Sequence, residues 1–110
     1  MGIHISDVAA VVLEDSAIDL EAQSRISSTY ILKKFHKPML PPQLNENICC
    51  LKPGADRLAV TLWVNIDSVT GLIDYSSAKY QKTIINNSSA LNYGKADNIL
   101  KSEEEEDDIK

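Results

Sequence analysis

Apolar and polar residues alternate most clearly between Arg57 and Asn65. Leu58, Val60, Leu62 and Val64 fall on one side, Ala59, Thr61 and Trp63 on the other. A period of two predicts a strand with one buried face, and the aliphatic set is the one expected to turn inward. Gly2 to Val8 has the same rhythm, with Ile3, Ile5 and Val8 expected inward and His4 and Ser6 opposite. Val8 to Leu13 is a second apolar run, closed by Glu14-Asp15-Ser16, where Asp15 or Ser16 can cap a helix. Ile18 to Ser27 carries a weak helical stripe of Leu20, Ala22 and Ile26. Thr29 to Leu32 reads as a short strand. Leu72 to Ile85 is long for one strand, which predicts a bulge near Ala78-Lys79 and a hairpin connection through Ser68-Val69-Thr70-Gly71. Asn92 is a competent N-cap for a helix near 92–101, on which Tyr93, Ala96, Ile99 and Leu100 share a face. Tyr93 is therefore expected to face the core.

Between these elements the backbone is punctuated by proline. Pro38, Pro41 and Pro42 remove three donors, so no ladder can run through them. Pro42 suits a first helical position and leaves room for a single turn near 42–47. Lys52-Pro53-Gly54-Ala55 is a turn, with proline presetting one central position and glycine free to take positive φ. The fold class predicted is α+β: a mainly antiparallel mixed sheet with two short flanking helices.

Composition narrows the picture less than the pattern does. A chain of 110 residues holds one domain at most, and with one Phe and one Trp its core must be aliphatic. No apolar run reaches the ~20 residues of a membrane helix, so a cytoplasmic or nuclear, intracellular protein is expected, not a secreted one. Cys49 and Cys50 are adjacent, point apart and suit small buried positions rather than a metal site. The net charge of −5 comes from Glu103 to Asp108; up to Ser102 the chain carries ten basic and ten acidic residues. No basic field announces a nucleic-acid partner. Residues 1–101 are expected to form a domain, and 102–110 a disordered acidic tail.

Three stretches carry a resemblance. Met39-Leu40-Pro41-Pro42, Ile48-Cys49-Cys50-Leu51-Lys52-Pro53-Gly54 and Ala55-Asp56-Arg57-Leu58-Ala59 closely resemble the centre of the catalytic domain of the ribonuclease II family, 3′-to-5′ processive hydrolytic exoribonucleases. Asp19, Glu21-Ala22 and Arg25, then Lys82-Thr83-Ile84-Ile85 and Leu91-Asn92-Tyr93, extend the likeness over residues 2 to 100. Ile26 departs from it, because the family often has glycine there, so the local turn is expected to change.

The resemblance implies a fragment of that catalytic domain, with RNA binding and RNA degradation as the function. Tyr30 occupies the position of a family tyrosine that stacks on a base near the RNA 3′ end. From pattern alone Tyr30 is a half-buried strand tyrosine. Lys33 and Lys34, with His36 and Lys37, come directly after it; they suit phosphate contacts or simply a solvated loop. The family uses Mg²⁺ held by an Asp-rich motif, which is expected to lie ahead of the strand matching Gly2 to Val8, outside this chain. Asp7 is tempting as a ligand, but an aspartate at a strand end more often accepts backbone N–H bonds in the next turn. His4 is expected to be a satisfied strand histidine. No catalytic and no metal-ligating residue is assigned, no cofactor is expected to bind specifically here, and the chain alone is expected to be inactive. Single-stranded RNA and a complementing protein chain are the implied partners, with no membrane. The alternative is a non-enzymatic remnant or small interaction module that keeps part of the fold.

Overall fold

The computed structural model describes residues 1–31 and 35–108. Its centre is strand β4 (Asp56–Ile66), flanked on both sides by antiparallel neighbours, β1 (Gly2–Ser6) and β5 (Ile73–Asn86). A separate two-stranded hairpin joins β2 (Thr29–Ile31) to β3 (Phe35–Lys37). Helix α1 (Ala17–Arg25) precedes the hairpin, and helix α2 (Tyr93–Asp108) comes after the sheet. The α+β class and the antiparallel sheet are those the pattern predicts.

Strand β1 ends at Ser6, and the apolar run after it folds into a 3₁₀ turn, Val8–Ala10. Register places His4 opposite Thr61 and Ser6 opposite Ala59. On this small-residue face Ala59 and Thr61 are buried, at 1% and 0% exposed, while His4 and Trp63 stay exposed. Thr61 Oγ1 lies 2.8 Å from His4 Nδ1 and 2.6 Å from Thr83 Oγ1, so a buried hydroxyl is satisfied from both neighbouring strands. Trp63 packs edge-on against His4. Gly2 has no side chain because a Cβ there would sit 2.7 Å from the Trp63 ring.

The aliphatic face meets expectation only in part: Val64 is buried and Val60 and Leu62 are half-buried, but its outer positions are open. Ile3, Ile5, Leu58, Tyr80 and Ile84 are all exposed. Alternation sorts side chains onto faces, but it does not say which face the rest of the chain will cover. The 51–54 turn is tied to the end of β5: Asn87 Nδ2 donates to Leu51 O, and Gly54 N, with φ +84°, donates to Asn87 O.

The β4–β5 connection runs Asp67–Leu72 and is closed by Gly71 at φ +70°. Register shifts between Trp63, paired with Lys79, and Asn65, paired with Asp74. The extra residues of β5 form the expected bulge, held where Ser77 Oγ accepts from Asn65 N. Pro41 O accepts from Leu44 N and Asn45 N, opening the wide helical turn Leu44–Ile48.

Helix α2 is longer than expected and continues through the acidic run to Asp108. Asn92 caps it as predicted, its Oδ1 accepting from Lys95 N at 2.8 Å. Tyr93, expected in the core, is 98% exposed, and Ile99 and Leu100 on the same face are exposed too. A helical stripe marks which residues can be buried together; it buries them only where something packs against it. No described helix is long and apolar enough to cross a membrane.

Candidate RNA-contact site

The family-like residues of α1 turn out to build the support for Tyr30. Ser16 caps the helix, accepting from Asp19 N at 3.3 Å, while Asp19 Oδ2 accepts from Asp15 N at 2.8 Å. Both aspartates are thus engaged in the cap. Ala22 is buried. Glu21 Oε1 accepts from Arg25 Nε at 2.9 Å and orients the guanidinium, whose Nη1 donates to Pro38 O at 2.9 Å. Ser28 Oγ accepts from Met39 N at 3.0 Å. These two contacts tie the start of β2 and the end of β3 to the helix, so the proline segment fixes the hairpin base.

Between helix and hairpin the chain turns at Ile26, with φ +65° and ψ −42°. Ser27 N donates to Arg25 O at 2.7 Å across it, which makes a γ-turn of the rare positive-φ type. A β-branched residue occupies a conformation that glycine takes without steric penalty.

The hairpin presents Tyr30 at 76% exposed, not half-buried. It lies directly opposite His36 in the register, and the two rings stack with centroids 4.6 Å apart and planes 10° apart. Lys33 and Lys34 lie outside the described residues. The pattern missed β3, because Phe35-His36-Lys37 looks like part of a charged loop. The available signal was the Thr29–Ile31 strand facing a second β-forming triplet that stops at Pro38. Beside the hairpin, Ile18, Glu21, Arg25, Pro38, Leu40 and Pro42 line an open groove of about 440 Å³.

Asp7 behaves differently from its expected role. Its side chain accepts no backbone hydrogen bond in the following turn. Instead its carboxylate, 8% exposed, faces Lys82 Nζ across the sheet at 3.7 Å. His4 is the satisfied strand histidine expected. Cys49 and Cys50 are unbridged, and burial pushes the Cys49 thiol up, away from the reactive thiolate. Among the described residues no three His, Cys, Asp or Glu side chains form a group that could hold a metal ion. Magnesium binding by clustered carboxylates is therefore not assigned to any described residue. What the arrangement offers is a rigidly based, solvent-facing π-surface.

The fold is that of a segment of an RNB domain. The RNB domain family model matches residues 1–110, and the chain belongs to that family. It is 38% identical over 100 residues to ribonuclease R of Chlamydia pneumoniae, covering 91% of this chain and 14% of that protein. Among solved structures it resembles Mycoplasma genitalium RNase R in complex with double-stranded RNA. The TM-score is 0.82 and the identity 30%, covering 93% of this chain and 18% of that one. It also resembles yeast Ssd1, described as a pseudonuclease, with a TM-score of 0.77 and 27% identity, covering 91% of this chain and 12% of that one. The chain thus spans about a seventh of the length of the ribonuclease R it matches, 14%.

Proposed function

We propose that this chain is the RNA-contacting central part of an RNB-type 3′-to-5′ exoribonuclease domain, and that alone it binds single-stranded RNA without cutting it. The observation that carries the reading is the exposed Tyr30 ring on a hairpin anchored by Arg25 and Ser28. An open aromatic face accepts any base, which suits a partner bound irrespective of sequence. Lys33 and Lys34 come shortly after Tyr30 in the chain and are assigned to phosphates. Magnesium-dependent hydrolysis would need carboxylates from elsewhere, in a longer chain or a complementing one. The chain is placed inside the cell, with RNA as its partner and no membrane, and 102–110 is taken as a tail appended to the domain.

The test is a nuclease assay on labelled single-stranded RNA with magnesium, run beside a binding titration at several salt concentrations. No nucleotide release is expected. Binding should weaken with salt, and Tyr30→Ala should weaken it about tenfold, in line with ~1–3 kcal/mol per stacked base. Efficient nucleotide release would overturn the non-cleaving assignment; indifference to Tyr30→Ala would overturn the stacking one. The likeness to a protein described as a pseudonuclease favours a second reading, a family member that keeps the fold as an interaction module. A chain that neither binds nor cleaves RNA would leave that reading standing.

A further inference from the structure

We propose that His36 is a positioning residue for Tyr30: it backs one face of the tyrosine ring and so presents the other to a nucleobase. The inference rests on the reading of Tyr30 as a base-stacking residue. Three observations carry it. Tyr30 and His36 are direct cross-strand partners, and such pairs hold their side chains within contact. Their rings are near-parallel, 10° apart with centroids at 4.6 Å, which leaves one face of each ring free. Both side chains are exposed, so nothing else in the described chain buries the tyrosine ring.

An exposed tyrosine on a three-residue strand otherwise samples several rotamers, and a base that stacks on it must freeze them. A flat partner behind the ring removes most of that freedom before RNA arrives. The gain expected from one preordered side chain is about threefold to tenfold in affinity. The strand base is fixed as well, through Ser28 to Met39 and Arg25 to Pro38, so the pair holds its direction relative to α1. Flatness matters in this arrangement and charge does not, which separates it from a phosphate contact.

The experiment is a double-mutant cycle on the whole chain, read by fluorescence anisotropy with a labelled single-stranded RNA oligonucleotide. His36→Ala is expected to weaken binding about threefold to tenfold in the parent and to change nothing in a Tyr30→Ala background. His36→Phe should restore parental affinity, and His36→Lys should not. An NMR arm without RNA reads the stack itself: the His36 ring protons should lose their ring-current shift in Tyr30→Ala. Cross-strand contacts between Thr29 and Lys37 confirm that each variant keeps the hairpin. Equal effects of His36→Ala in both backgrounds, or rescue by lysine rather than phenylalanine, would overturn the proposal. If Tyr30→Ala leaves binding intact while the ring-current shift is present, the stacking reading of Tyr30 fails and the ring pair stands as a structural feature only.

Discussion

Ile26 shows how a single residue can be informative by being the wrong type. Its backbone sits at φ +65°, and its side chain points into solvent, so no packing compensates for the conformation. An L-residue at positive φ costs roughly 1–2 kcal/mol, more for a branched side chain. Ile26→Gly should therefore stabilise the chain by about 1 kcal/mol after the entropy of the unfolded glycine is counted. A denaturant titration showing a higher midpoint with unchanged slope would confirm it; a lower midpoint would refute it. Gly2 is the opposite case. Gly2→Ala should destabilise by about 1–2 kcal/mol, because its Cβ meets the Trp63 ring at 2.7 Å and the ring must move off the His4 edge. Trp63 fluorescence, the chain's single indole, reports that movement directly.

Among the elements, two connections set the geometry that matters. Arg25 links α1 to the hairpin base through Pro38 O, with Glu21 holding the guanidinium in place. Lysine has no fork with which to reach both partners, so Arg25→Lys should behave like Arg25→Ala. Each should lose about 1–2 kcal/mol of local stability and loosen the Thr29–Lys37 pairing, seen as faster amide exchange in β2 and β3. The β4–β5 turn depends on Asp67. Its Oδ1 accepts from Thr70 N and Val69 N, each at 2.8 Å. Those bonds, Thr70's first, hold the carboxyl below its ordinary value of 3.8. A carboxyl depressed in the folded state contributes stability that is full above the unfolded value and is lost as pH falls through the folded one. The melting-temperature gap between the parent and Asp67→Ala should thus be constant above pH 3.8 and shrink below it. A gap that widens in acid would contradict the assignment. The hairpin connection, the bulge in β5, the Ser16 cap and the Asn92 cap were all legible from residue order. The turn and the two caps depend on contacts within a few positions of chain; the bulge, which pairs Asn65 with Ser77, was legible from the length of the run. Strand β3 was not, because Phe35-His36-Lys37 sits in a basic stretch that reads as a loop, whereas the equally short β2 carries β-forming Thr29-Tyr30-Ile31.

For the molecule as a whole, the balance of surfaces is the notable property. The radius of gyration is 18.3 Å, against roughly 13 Å for a compact chain of this length. Ile5 and Ile84, 66% and 70% exposed, sit with Ile3, Leu58 and Tyr80 on an open sheet face, and α2 leaves Tyr93, Ile99 and Leu100 uncovered. An uncovered apolar surface of this kind drives association. The purified chain should be marginally stable and self-associate in sedimentation experiments, and the double variant Ile5→Thr, Ile84→Thr should shift it toward monomer without loss of strand content. A monomeric parent with a cooperative melt at high temperature would contradict this.

Residue order alone determined most elements, the caps, the turns, the α+β class and the family likeness, because each is written in pattern or motif; β3 and the length of α2 were not among them. Tertiary structure decided what lies against what. It buried Ala59, Thr61 and Val64 while leaving Ile3, Ile5 and Ile84 open, turned Asp7 toward Lys82, exposed Tyr93, and set His36 behind Tyr30. The physical reason is that periodicity records which side chains travel together, whereas burial and stacking depend on which distant segment arrives to meet them.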